Sequence, residues 1–277
     1  GDTAKTLSSD LSKVKAVIPD LLSHNAILNI DGTAGGSLQG MLQYVAASPV
    51  AGWLGYFLQE TKATANAQLG LKLHLPLKHL IESKVQGVFQ IGNNDAVLQS
   101  GIPLISWING KLDLNEKGVN LNTLKGTLLG GPVVATGGTQ KDTSIRIKLD
   151  GLATAEGLRN IFIDTAVEPL SEKLVGSARY TSKINVAKRQ PELIIDSALQ
   201  GLALNFPSPL QKVGNQNMPL HFEMTPVISG DASTWRDEIK LALGTVVNAR
   251  YQRQKSNEKN AAWQVLRGGI GVNLPAP

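Results

Sequence analysis

The chain has 277 residues, 27 Lys plus Arg against 22 Asp plus Glu, and is 42% hydrophobic, 18% charged and 5% aromatic. That apolar share excludes wholesale disorder. The absence of cysteine excludes a disulfide scaffold, a thiolate zinc site and a cysteine nucleophile, without fixing a compartment. The charged share falls below the usual value of roughly a quarter.

No apolar run reaches the ~18–20 residues that span a bilayer. The net charge of +5 reads as a mildly basic surface. The densest basic stretch, Arg250, Arg253, Lys255 and Lys259, is broken by Glu258 and has one nearby aromatic, Tyr251. A nucleic-acid face would interleave basic and aromatic residues more densely, so no nucleic-acid partner is expected. The start at Gly1-Asp2-Thr3 and the end at Pro275-Ala276-Pro277 read as an excised piece of a longer protein. Any membrane anchor is then expected outside these residues.

In chain order, Leu11, Val14 and Ile18 follow the capping candidates Ser8, Ser9 and Asp10 at helical spacing. A strand is expected over 25–31. Leu38, Met41, Leu42 and Val45 predict a helix, and Val50, Trp53, Leu54 and Phe57 another, with Ser48-Pro49 between them. Leu71, Leu73, Leu75 and Leu77 then alternate with Lys72, His74, Pro76 and Lys78. This is the period-two signature of a half-buried antiparallel strand. Further strands are expected over 85–91, 103–114, 118–125 and 127–136. Ile145, Ile147 and Leu149 alternate in the same way with Ser144, Arg146 and Lys148, and Leu152, Ala155, Leu158 and Ile161 predict a short helix. The remaining strands are expected over 177–187, 192–206, 219–228 and 238–254. The last of these pairs with 261–273 across the polar turn Lys255–Asn260.

Gly70-Leu71-Lys72-Leu73-His74-Leu75-Pro76 resembles Gly201-Leu202-Ala203-Leu204-Asn205-Phe206-Pro207 at an offset of 131. A short amphipathic helix precedes each segment, over 10–18 and 151–162. The organisation expected is two tandem helix-plus-strand repeats, 1–150 and 151–277, stacked edge to edge.

Signals for catalysis are sparse. Of the four histidines, His24, His74, His79 and His221, the closest pair is His74 and His79, whose spacing of five puts them on opposite faces of a strand with no carboxylate ligand at metal spacing. The glycine-rich Gly126–Pro132 and Gly137-Gly138-Thr139 lack a phosphate-loop ending, and Arg267-Gly268-Gly269-Ile270-Gly271 lies within an expected strand. The acids Asp31, Asp113, Asp150, Asp231 and Glu238 fall at turns and strand ends. The expectation is a non-enzymatic protein without cofactor or metal. The leucine alternation leaves two readings open: a filled sandwich core, or a curled sheet with an open apolar trough.

Several segments together carry a family resemblance. They are Gln43-Tyr44-Val45-Ala46-Ala47-Ser48-Pro49-Val50, Leu73-His74-Leu75-Pro76-Leu77, Gly126-Thr127-Leu128-Leu129-Gly130-Gly131-Pro132, Leu199-Gln200-Gly201-Leu202, Phe206-Pro207-Ser208-Pro209-Leu210, and the stretch from Arg267 to Pro277. In this order they resemble the YhdP-type branch of the AsmA-like proteins of Gram-negative envelopes, over nearly the whole chain. The resemblance implies a mainly β fold of long antiparallel strands in a curled, repeating β-groove, with a few short helices at rims or ends. It implies a segment of an inner-membrane-anchored, periplasm-spanning bridge that carries phospholipid acyl chains between inner and outer membranes. The groove would be lined by Leu71, Leu73, Leu75, Leu77, Ile145, Ile147, Leu149, Leu202, Leu204 and Phe206. The alternative is an envelope scaffold that binds client proteins through exposed sheet edges.

Overall fold

A computed structural model describes residues 3–6, 9–22, 25–46, 60–79, 82–98, 102–163, 168–187, 190–227, 234–256 and 261–274. The protein is mainly β, pairs antiparallel, does not close into a barrel, and has three short helices among the described residues. Two compact units emerge: Gly1–Thr127 with Val134–Arg146, and Leu128–Val133 with Ile147–Pro277.

In unit 1 the sheet runs β1 (Thr3–Thr6), β2 (Ser9–Val17), β3 (Ile27–Ser37), β5 (Asn66–Pro76), β6 (Lys84–Val97), β7 (Ile105–Asn115) and β8 (Gly118–Leu128), each paired with the next. The two-residue β4 (Lys62–Ala63) pairs with the far end of β6. The part of β9 (Gly131–Thr139) that lies in this unit meets β8 where Val119 N donates to Thr139 Oγ1 at 3.0 Å. The helix expected over Leu11–Ile18 is instead strand β2. Pairing with β1 on one side and β3 on the other overrides a helical spacing carried by three residues. The segment of the expected Val50–Phe57 helix lies outside the described residues.

Helix α1 (Leu38–Ala46) continues directly from β3. Its apolar face turns Leu38 and Met41 onto Ala67, Phe89 and Ile91 of β5 and β6. Gln39 fixes it from the side, since Oε1 accepts from Ala63 N at 2.7 Å.

Unit 2 repeats the device. β10 (Ile145–Thr154) runs straight into α2 (Ala155–Phe162), with Thr154 as N-cap accepting from Gly157 N at 3.0 Å. α3 is a single turn, Glu168–Ser171. The sheet continues through β11 (Leu174–Ala187), β12 (Gln190–Ser197), β14 (Leu220–Pro226), β15 (Thr234–Leu243), β16 (Val247–Ser256) and β17 (Gln264–Val272). The short β13 (Leu202–Leu204) pairs with the start of β11.

The expected strand 238–254 is two strands. A turn at Gly244 (φ +53) reverses the chain between β15 and β16, and the hairpin expected with 261–273 is formed by β16 and β17. The expected strand 192–206 likewise divides at the turn after Ala198, and 127–136 divides at Leu129-Gly130. Segments 70–76 and 201–207 fall in unlike elements, an eleven-residue strand and a three-residue strand. The structural likeness lies instead between β3–α1 and β10–α2, a strand running without a loop into a helix that covers the sheet.

Lys212 organises the loop around β13. Its side chain is buried (1% exposed), and Nζ donates to the carbonyls of Leu202 at 2.6 Å, Leu199 at 2.7 Å and Val213 at 3.2 Å. Burial pushes its pKa down, while the three carbonyl dipoles favour the protonated form.

Candidate functional site

The strand registers align the apolar positions of unit 1 on one face. Ile30 faces Leu73, which faces Val85. One rung along, Gly32, Leu71, Gly87, Leu114 and Val119 stand opposite one another in turn, and beyond them Ala34, Leu69, Phe89, Leu112 and Leu121. The alternate positions, including Asp31, Lys72, Gln86 and Asn115, share the other face. Cross-strand polar pairs cover that wet face: Lys72–Asp31 at 3.6 Å and His74 Nδ1 with Asn29 Oδ1 at 2.8 Å.

The apolar face is covered unevenly. Beneath α1 the side chains of Ala67, Phe89 and Ile91 are buried and form a packed core. Away from the helix, Leu28, Ile30, Leu71, Leu73, Leu75 and Val85 are only half-buried. This contiguous, half-exposed apolar strip makes the wall the candidate site.

Unit 2 has the same division. Ala155 of α2, Ala178, Leu199, Leu202 and Leu204 make a buried core, with Leu158, Leu174, Phe206, Leu220 and Leu243 packed around it. Further along the strands, the rungs Ser182–Ile195–Phe222–Leu241–Ala249 and Ile184–Leu193–Met224–Ile239–Tyr251 extend the apolar face. Leu193, Ile195, Phe222, Met224, Leu241 and Tyr251 there are half-buried, while Ile239 is buried.

The ten sequence-predicted lining residues therefore divide. Leu71, Leu73 and Leu75 lie together on the half-open wall of unit 1. Leu77 lies in the turn after β5, is exposed, and donates its N–H to Ala26 O. Ile145 is buried, with Ile147 and Leu149 half-buried along β10. Leu202 (3% exposed) and Leu204 (4%) belong to the packed core under α2, with Phe206 against it. The residues sequence reasoning missed are the unit 2 wall and the β6–β7 part of the unit 1 wall. The alternation His221-Phe222-Glu223-Met224 carried the needed signal.

Electrostatics separate the two faces. On the wet face of unit 2, the buried carboxylate of Glu238 accepts from Arg250 Nε at 2.9 Å, Arg250 Nη2 at 2.8 Å and Gln252 Nε2 at 3.1 Å. Those hydrogen bonds from Arg250, then Gln252, hold its pKa below the ordinary glutamate value despite burial. The unfolded chain therefore takes up this proton at higher pH than the folded one. The stabilisation is whole above the ordinary glutamate value and is lost as pH falls through the lower folded value. In denaturant titrations at several pH values between about 6 and 3, Glu238→Gln should flatten the acid-side decline relative to wild type. Parallel declines would contradict this.

His221 Nδ1 pairs with Asp196 Oδ1 at 2.7 Å across β12–β14, and Asp150 accepts from Thr181 at 3.0 Å, both on the wet face. His79 is exposed, and His24 lies outside the described residues. Among the described residues, no group of three or more His, Asp or Glu is arranged to hold a metal ion. None of their helices is long and apolar enough to cross a membrane.

No curated protein and no solved structure matches the chain. A family model does, over residues 1–277. By that match, which covers its whole length, the chain belongs to the YhdP protein family.

Proposed function

We propose that the half-open apolar walls hold phospholipid acyl chains, so that this chain is a segment of a periplasmic bridge carrying phospholipid between the inner and outer membranes. The observation that carries the reading is the uneven covering of each apolar face. A short helix packs down one end, and the rest of the wall keeps leucine, isoleucine and phenylalanine side chains half-exposed. Single half-exposed apolar residues are common, but a contiguous strip of them forgoes about 0.8 kcal/mol for each CH₂ left unburied, which favours a surface kept for an apolar ligand.

The same arithmetic gives the mechanism. A phospholipid leaving a bilayer exposes two acyl chains to water, at about 0.8 kcal/mol per CH₂, a cost far beyond thermal energy. A leucine wall replaces most of the lost apolar contact without directional bonds, so the lipid is held yet free to slide. From Leu71 to Leu75 the half-open wall of unit 1 spans four residue steps, about 14 Å at strand rise. One leaflet of hydrocarbon is about 15 Å thick, so the half-open wall is about as long as one acyl chain laid along the strands. Membership of the YhdP family supports the envelope setting. A phospholipid with a photoactivatable acyl chain, loaded onto the purified chain, should crosslink to wall positions such as Leu73 and Leu241. Adducts confined to the sheet edges, or client-protein crosslinks without lipid, would instead favour a scaffold that pairs strands.

A further inference from the structure

At the end of the unit 2 wall away from α2, the apolar face turns charged. Beyond the Met224–Ile239–Tyr251 rung stands Asp237 facing Arg253, and beyond that Trp235 facing Lys255, all on the apolar side by register. Arg253 grips Asp237 with two parallel bonds, Nε to Oδ1 at 2.8 Å and Nη2 to Oδ2 at 2.9 Å, and Nη2 also lies 3.5 Å from Met224 Sδ. The indole of Trp263 takes both cations, with Arg253 Cζ 4.2 Å and Lys255 Nζ 5.2 Å from the ring centroid. Asp237 is buried, and Arg253 keeps only 24% of its side chain exposed.

This arrangement is costly as mere packing. An ion pair taken out of water rarely outperforms an apolar pair of the same size, which here would simply have lengthened the wall. Two cations on one ring, with one carboxylate, leave an excess of one positive charge. Arg253 takes Asp237 as its carboxylate partner, and Lys255 lies over the Trp263 ring. The two cations are therefore offered to an anion beside the Trp263 indole, a ring of the kind that favours an apolar–wet boundary. The distance fits as well: Leu243, against the α2 core, and Asp237 are six residues apart on β15, about 20 Å.

We propose that Arg253, Lys255 and Trp263 form a subsite for the phosphate of a phospholipid headgroup, whose acyl chain lies along the unit 2 wall toward α2; this rests on the acyl-chain role proposed above. The test measures binding to the full chain of three probes: a short-chain phosphatidylglycerol below its micelle concentration, the matching diacylglycerol, and inorganic phosphate. Lys255→Glu should weaken the phosphatidylglycerol about tenfold, and Lys255→Gln about threefold, while the diacylglycerol stays within about twofold. If both lipids bind but neither variant distinguishes them, the headgroup subsite is wrong and the wall stands. If inorganic phosphate binds as tightly as the lipid with the same Lys255 dependence, the site holds a free anion and the lipid assignment falls. If neither lipid binds, the wall reading fails and this subsite fails with it.

Discussion

Leu73→Glu should cut phospholipid retention by the purified chain about 100-fold while leaving the sheet folded. Leu73 sits mid-wall, between Ile30 on one neighbouring strand and Val85 on the other, and is half-buried. A carboxylate there must be dehydrated whenever an acyl chain lies over it, and burying an unpaired charge costs several kcal/mol. About 2.8 kcal/mol of that cost is enough for a 100-fold loss. In the lipid-free protein the same side chain reaches water, so the fold is spared. The matched control is Gln86→Glu, which adds the same charge on the opposite face beside Lys72. Its lipid retention should be unchanged. Equal losses in the two variants would mean that net charge, and not the wall, governs lipid binding.

Gly157→Ala should destabilise the chain by about 2–3 kcal/mol, although alanine is the better helix former by about 1 kcal/mol. Gly157 lies in the first turn of α2, where its Cα presses on the turn between β8 and β9. A methyl group at this position would run into the carbonyl of Leu129 and the amide of Gly130. Those are backbone atoms held in place by Thr154 N donating to Leu129 O at 2.9 Å, so they cannot step aside cheaply. The clash would lift α2 off the core of Ala178, Leu202 and Leu204. Gly70 is the contrast: a methyl group there meets nothing within 4 Å, so Gly70→Ala should be neutral or slightly stabilising. Thermal or denaturant midpoints of the two variants decide it, and a neutral Gly157→Ala would show that α2 is not seated as described.

The alternation of Leu71, Leu73 and Leu75 with Lys72 and His74 was enough to give both the strand and its apolar side, because side-chain direction in a strand follows from parity alone. What covers that side does not follow from parity. Leu202 and Leu204 carry the same pattern as Leu71 and Leu73, yet α2 and the Lys212 loop bury them. Neither contact is local in sequence. Turns hidden in uniformly β-prone sequence were also illegible, as at Leu243-Gly244-Thr245-Val246-Val247, where one glycine reverses the chain. The unit 2 wall was legible in part, through the alternation His221-Phe222-Glu223-Met224, and obscured on its neighbouring strands for a different reason. Ile194 puts an apolar residue on the wet face, while Asp237 and Arg253 put charges on the apolar one, so the period-two signal breaks where the chemistry is most particular.

The proposed role makes one demand that packing alone does not: lipid must touch one parity of residues and not the other. A phospholipid carrying a photoactivatable group within its acyl chain, crosslinked to the full chain and mapped by peptide mass spectrometry, reads that parity directly. Adducts should fall on Leu71, Leu73 and Leu75 in unit 1 and on Leu193, Phe222 and Leu241 in unit 2, and be absent from Lys72, His74, Glu223 and Lys240 on the opposite faces. Adducts spread equally over both faces, or none on either wall, would contradict the assignment of these walls to acyl chains.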